Sequence, residues 1–406
     1  MSVKPESGGV CAPQGFLAAG MHCGLAKKAE KKDLALIYSQ VPCAAAAVYT
    51  KNKVKASPLE VTRQHLSDGK AQAILCNSGN ANACNADGME VAWRMCKAAA
   101  KALRVSPKDV VVASTGVIGQ PLPVKLVEKA VPRLKSALSQ QGSADAKAAI
   151  MTTDLLEKEI AVSFLLEDNV CKIGGIAKGS GMIHPNMGTM LAFLTTDVDI
   201  SPAMLQQALD TVVPNTFNMV SVDGDTSTND MAVVLANGMA KNTPITHPGP
   251  DYDAFLKALT HVCIYLARMI AKDGEGATKL LECMVSGAPD EDTAKVLAKS
   301  VICSNLFKAA MFGADANWGR VLCALGYADA EFDVSKVKVS FVSSAGRVTV
   351  CDRGAGVSFS EEEAKQVLLE NEIEIHVELF QGEGCAVAWG CDLSYDYVKI
   401  NGDYRS

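Results

Sequence analysis

The sequence predicts an α/β or α+β fold in which strands and helices are layered, not threaded through a dinucleotide-binding unit. Short apolar strand-like runs fill the first part of the chain and return in its last third, with amphipathic helical patterns set between them. No GxGxxG follows a strand and no GxxxxGK[ST] loop is present; Gly274-Glu275-Gly276 is too short a fragment of either.

From the N-terminus, 34–38 and 44–50 read as two strands and 71–75 as a third. The third runs into Asn77-Ser78-Gly79-Asn80-Ala81-Asn82, residue types that tolerate left-handed backbone and bond their own main chain. Ala92, Met95, Cys96, Ala99 and Leu103 share one helical face. A strand at 110–113 ends in Ser114-Thr115-Gly116-Val117-Ile118-Gly119-Gln120. Val127, Val131, Leu134 and Leu138 mark a second helix, with a kink expected at Pro132 and an exit loop over 140–144. The runs 162–166 and 171–176 form a hairpin around Glu167-Asp168-Asn169. A strand at 190–194 follows, then helices over 203–213, 252–270 and 294–312. Strands close the chain at 337–342, 347–351, 373–379 and 385–393.

With 406 residues, the chain is long enough for two domain-sized units or one large layered one. Its 49% hydrophobic and 21% charged residues describe a globular protein with a large core. A formal charge of −6 and the lack of a long basic run argue against nucleic acid or an anionic membrane as partner. The densest basic cluster, Lys27, Lys28, Lys31 and Lys32, reads as a solvated loop. None of the 14 cysteines forms a CxxC pair, so no metal site is expected. Most sit among apolar residues, as Cys323 does, and behave as small hydrophobes suited to a reducing compartment. No signal core and no run of ~18 apolar residues is evident, so a soluble cytoplasmic protein is expected.

The chemistry concentrates between Ala177 and Asp197, AKGSGMIHPNMGTMLAFLTTD. A Gly-rich, His-Pro approach meets Gly188-Thr189, and an apolar strand follows. One reading is a plain glycine turn entering a core strand. The other is a chain that cuts itself. Cleavage of the Gly188–Thr189 bond would make Thr189 an N-terminal nucleophile, with its own α-amine as the adjacent base. A free α-amine titrates near ~7.7–8.0, so it is basic enough at working pH.

This block resembles the self-cleaving site of the glutamate N-acetyltransferase family, also called ornithine acetyltransferase, whose members carry KGSGMI-P-NMATML. The one departure is Gly188, where the family usually has Ala. Glycine leaves attack on its carbonyl open, but its looser backbone stores less strain. The resemblance spans the chain, through Gly9 to Phe16, the NSGNANAC block at 77–84, Asp315 to Arg320 and the tail. It implies an αββα-type sandwich, cleaved into an α chain, 1–188, and a β chain, 189–406, that stay intertwined and assemble as α2β2.

It also implies the site. Thr115 and Gly116 match the oxyanion-hole segment, at a strand end where a tight turn can expose backbone N–H groups. Lys178, a point charge eleven residues before Thr189, matches a substrate-binding lysine and suits an α-carboxylate. Glu275, between two glycines, matches the family's substrate-binding glutamate and suits the δ-ammonium of ornithine. Thr152, Asn401 and the terminal Ser406, which replaces Thr, match further substrate contacts. His184, five residues before Thr189, is read as ordering its loop, with an acid–base role the alternative. Asp223, Asp225, Asn229 and Asp230 read as a structural turn, since no twelfth-position Glu completes a calcium loop, with a place at the border of the site the alternative.

The implied activity is transfer of acetyl from N2-acetylornithine to glutamate through acetyl-Thr189, without metal or organic cofactor; acetyl-CoA is an additional candidate donor. The alternative is a self-processed N-terminal-nucleophile amidohydrolase or aminopeptidase, which passes the acyl group to water. A third reading is an uncut, non-catalytic amino-acid-binding protein. Product analysis separates them: N-acetylglutamate is expected, net release of acetate or a peptide fragment would favour the hydrolase, and no turnover the binding protein.

Overall fold

The computed structural model describes residues 3–184 and 190–402. In chain order the strands and helices are β1 (Lys4–Glu6), β2 (Phe16–Met21), β3 (Leu34–Tyr49), α1 (Ser57–His65), β4 (Lys70–Asn77), α2 (Gly88–Leu103), β5 (Val110–Ser114), α3 (Val124–Ser136) and α4 (Ser143–Ile150). Next come β6 (Lys158–Leu166), β7 (Asn169–Lys178), β8 (Leu191–Thr196), α5 (Pro202–Val212), β9 (Val220–Ser221), β10 (Met231–Ala236), α6 (Pro250–Lys272), β11 (Leu280–Ala288), α7 (Glu291–Cys303), α8 (Asn305–Phe312) and α9 (Trp318–Gly326). The chain closes with β12 (Lys338–Ser343), β13 (Gly346–Asp352), β14 (Ala355–Gly356), α10 (Glu361–Leu369), β15 (Glu372–Glu378), β16 (Gly384–Cys391) and α11 (Tyr395–Gly402). The fold is mixed α/β, as the sequence predicts.

These elements form two compact units. Of the described residues, the first holds 3–179, 190–218 and 226–266, and the second 180–184, 219–225 and 267–402. Each unit draws on both sides of the expected division at 188/189.

The first unit is built on one sheet, in the order β1-β6-β7-β8-β10-β3-β4-β5, with β2 also paired to β3. Its middle reads as near-continuous apolar sequence because both faces are covered. On β4, Ile74 and Cys76 join a core with α4, while Ala73 and Leu75 join another with α2 and α3. The two strands expected at 34–38 and 44–50 are one 16-residue strand, β3. Its register against β4 slips between Tyr38 and Cys43, the bulge that the sequence reading took for a strand break. Another expectation fails at the exit loop over 140–144, where α4 already starts at Ser143.

The second unit carries the order β14-β13-β12-β15-β11-β16-β9, with α7 packed on β11 and β16. The single helix expected over 294–312 is two, α7 and α8. Ser304 is extended (ψ 107°) and its hydroxyl accepts from the Phe307 N–H, which starts a new helix. Cys323 is exposed rather than a core residue, since α9 buries Val321, Ala324 and Leu325 on its other face. All fourteen cysteines are free thiols. α6 is long and apolar enough to cross a membrane by composition, yet half of that window is buried, as in a core helix.

Strand β8 begins two residues after Thr189 and lies between β7 and β10. It pairs antiparallel with β7 from Lys178↔Leu191 to Ile173↔Thr196, and β10 in turn pairs with β3. Two ladders thus join the sequence before residue 188 to the sequence after it. Fragments separated by a cut between Gly188 and Thr189 are expected to co-elute in buffer and to part only in denaturant; separation in buffer would contradict this pairing.

Candidate active site

Thr115 and Gly116 follow β5, where the NSGNANAC block holds their turn. The Asn77 amide donates to the Asn80 carbonyl at 2.9 Å, and the Ser114 hydroxyl donates to Asn77 Oδ1 at 2.6 Å. The Ala81 N–H donates to the Val117 carbonyl at 3.0 Å and that of Gly119 to the Ala83 carbonyl at 3.0 Å. Gly116 takes φ 132°, and a Cβ there would lie 2.4 Å from the Gly79 carbonyl carbon, so only glycine fits. Among the described residues its N–H has no hydrogen-bond partner. The Thr115 N–H does have one, the Asn77 carbonyl at 3.0 Å. Thr115 thus has its hydroxyl, rather than its N–H, to offer beside the N–H of Gly116.

Lys178 closes β7, buried, with Nζ 3.5 Å from the Thr115 hydroxyl oxygen. Next to it, Asp154 gathers what the sequence reading left scattered. Its Oδ1 accepts from Lys158 Nζ at 2.8 Å and from the Gly179 N–H at 2.7 Å. Its Oδ2 accepts from the Thr152 N–H at 2.9 Å. Burial alone would raise the Asp154 carboxyl, but Lys178, Lys158 and the hydrogen bonds outweigh it and hold the group below the ordinary carboxylate range. Thr152 also offers its carbonyl to Lys31 Nζ at 2.8 Å. The lysine cluster is thus not a uniformly solvated loop: Lys31 is half-buried, and Lys32 pairs with Asp145. Sequence reasoning missed Asp154, whose only signal was an acid two residues beyond Thr152.

Asn229, read as part of an acidic turn, is a buried clamp. Its amide donates to the Ala81 carbonyl at 2.6 Å and to the Ser114 carbonyl at 2.8 Å. Asp230, also buried, has an Oδ2 without a hydrogen-bond partner among the described residues, and burial pushes its carboxyl well up. The next N–H, that of Met231, donates to the Met190 carbonyl at 2.9 Å.

In the second unit, Glu275 is buried and accepts from the Asn401 amide at 2.7 Å. Gly181 makes room for it, since a Cβ there would lie 2.3 Å from Glu275 Oε2. Asp223 accepts from the N–H groups of Met182 (2.7 Å) and Ile183 (2.9 Å), fixing the approach to the 185–189 segment. His184 Nδ1 lies 3.1 Å from Ser221 Oγ. Burial and then Lys299 depress its pKa to about 4, so the imidazole is neutral at pH 7. The structure thus brings Thr115, Lys178 and, through Asp154, Thr152 together in the first unit, and Glu275 with Asn401 in the second. Gly188, Thr189 and Ser406 lie outside the described residues. Among the described residues no group of three or more His, Cys, Asp or Glu could hold a metal ion.

The ArgJ family model matches residues 17–406. The chain belongs to the ArgJ family. The arginine biosynthesis bifunctional protein ArgJ 1 of Clostridium acetobutylicum is 52% identical over 392 residues, 96% of each chain. ArgJ of Caldanaerobacter subterraneus is 51% identical over 395 residues, 97% of this chain and 98% of its own. Among solved structures, a chain of the ArgJ protein of Bacillus halodurans is 46% identical with a TM-score of 0.51, and covers 53% of this chain and 99% of itself. ArgJ membership makes this chain an acyltransferase of arginine biosynthesis, as its resemblance implies, and removes the non-catalytic binding protein from consideration.

The Asp154–Lys158 pair yields a pH-dependent prediction. Asp154→Asn removes the carboxylate that Lys158 pairs with in the core and is expected to destabilise by about 3–5 kcal/mol at pH 7. Because the folded-state pKa of Asp154 is depressed, its contribution is present above the unfolded value near ~3.9 and is lost as pH falls through the folded value. Urea titrations should show the gap between wild type and variant narrowing below about pH 4; a constant gap from pH 7 to 3 would refute the pairing.

Proposed function

We propose that this chain moves the acetyl group of N2-acetylornithine to glutamate through a Thr189 ester, after cutting itself between Gly188 and Thr189. The cut starts with attack of Thr189 Oγ on the Gly188 carbonyl carbon. The Gly188–Thr189 C–N bond breaks, the Thr189 nitrogen takes the proton, and water hydrolyses the resulting ester. In turnover, Thr189 Oγ attacks the acetyl carbon and its proton passes to the α-amine. The C–N bond to ornithine breaks, and ornithine leaves with that proton. The glutamate amine then attacks the ester, the C–O bond breaks, and Thr189 regains its hydroxyl. The Thr115 hydroxyl and the Gly116 N–H hold the oxyanion in both steps. Lys178 takes the α-carboxylate and Thr152 lies beside it. Glu275, oriented by Asn401, takes the δ-ammonium, and Ser406 completes the substrate contacts.

The observation that carries this reading is the register of β7 and β8. Lys178 pairs with Leu191, so the chain re-enters the sheet two residues after Thr189 at the strand end where Lys178 meets Thr115. The solved Bacillus halodurans chain supports the cut: it covers 53% of this sequence and almost all of itself, the share that 189–406 would make. The name bifunctional, carried by the relatives, fits acetyl-CoA as a second donor to the same threonine. We propose an α2β2 assembly in the cytoplasm, working without cofactor.

Incubation with N2-acetylornithine alone should leave the C-terminal fragment heavier by one acetyl group, and added glutamate should remove it as N-acetylglutamate. Removal by water alone, as acetate, would favour the amidohydrolase. Thr189→Ala should abolish both cleavage and transfer, and an active, cleaved variant would contradict the mechanism. Gly116→Ala removes an oxyanion donor from its position and should lower kcat by about 10²–10³. An unchanged kcat would remove Gly116 from the oxyanion hole.

A further inference from the structure

Resting on that reading, we infer that Lys31 is the residue that selects glutamate as acetyl acceptor, by holding its side-chain carboxylate while Lys178 holds the α-carboxylate. Lys31 is not a free surface lysine. Its carbonyl lies 2.8 Å from His22 Nδ1, and its N–H donates to the Lys28 carbonyl at 3.1 Å. Two residues on, Asp33 is fully buried and accepts from the N–H groups of Cys23, Gly24, Leu25 and Ala26 at 2.5–3.3 Å, which fixes the loop from below. From that base Lys31 Nζ reaches the Thr152 carbonyl at 2.8 Å.

The charge balance around Thr152 calls for an anion. Lys31, Lys158 and Lys178 stand near Asp154, Asp33 also acts on Lys31, and Lys158 pairs with Asp154 directly at 2.8 Å. Within the first unit neither Lys31 nor Lys178 has a carboxylate in ion-pair range among the described residues. Burial lowers the Lys31 pKa, Asp154 and Asp33 oppose that, and Lys178 and Lys28 add to it. A ligand carboxylate would relieve this repulsion. N2-acetylornithine brings one carboxylate and a δ-ammonium, so Lys178 suffices for it. Glutamate brings two carboxylates, and the second needs a second cation. A lysine supplies it as a compact point charge on a flexible stem.

The test separates the half-reactions. In Lys31→Gln, which keeps a donor for the Thr152 carbonyl and loses the charge, the KM for glutamate should rise by roughly tenfold or more. The KM for N2-acetylornithine and the rate of acetyl-enzyme formation should stay within about threefold. The preference for glutamate over glutamine as acceptor should collapse, and Lys31→Arg should restore much of it. An unchanged KM for glutamate, an equal rise in both KM values, or an intact preference against glutamine would each overturn the assignment. If wild type forms no acetyl-enzyme, it is the acyltransferase reading that has failed, and the two failures remain distinct.

Discussion

The Asn229 amide is the contact on which the rest of the first unit's site depends. It precedes β10 in sequence and donates to the carbonyls of Ala81 and Ser114, which border the Thr115-Gly116 turn. In strand order β5 and β7 are five steps apart, and a flat sheet at ~4.8 Å per step would hold them about 24 Å from each other. Yet Lys178, at the end of β7, lies 3.5 Å from Thr115, just past β5. The sheet must therefore curl strongly between them. Asn229 ties the β10 side to the β5 side across this curl. Loss of that amide would leave two buried carbonyls unsatisfied and the two halves of the site unregistered.

The second organising feature is buried charge. Asp154 exchanges hydration for two backbone N–H groups and a lysine, and in doing so it sets the positions of Thr152, Lys158 and Gly179. Such a pair adds little net stability over an apolar core, but breaking it on one side is severe, which suits a device for holding geometry. Glu275 follows the same pattern in the second unit, with an amide partner in Asn401 and a glycine, Gly181, in place of any side chain that would crowd it.

Much of the fold was legible because periodicity reports burial. The alternation on β4, the helical face of α2 and the hairpin of β6 and β7 were all readable from which residues must be inside. What periodicity does not encode is long-range connection. The strand break read at 40–43 is a bulge inside β3, and the exit loop over 140–144 already contains the start of α4. Ser304 divides a run that reads as one helix, because a serine hydroxyl can cap a new start within an apolar pattern. The site residues implied by resemblance were nameable at once. The arrangement made by Asp154, Asn229 and Lys31 was not, since Asn229 and Lys31 act on backbone carbonyls tens to more than a hundred residues distant, and Asp154 on backbone N–H groups that carry no sequence signature.

The proposed chemistry turns on one covalent event, cleavage between Gly188 and Thr189. The most direct measurement is the intact mass of the purified protein under denaturing conditions. Two species, the larger beginning at Thr189, are the predicted result, and they would establish the free N-terminal threonine that the chemistry needs. A single uncut chain from a preparation active in acetyl transfer would contradict the account at its centre.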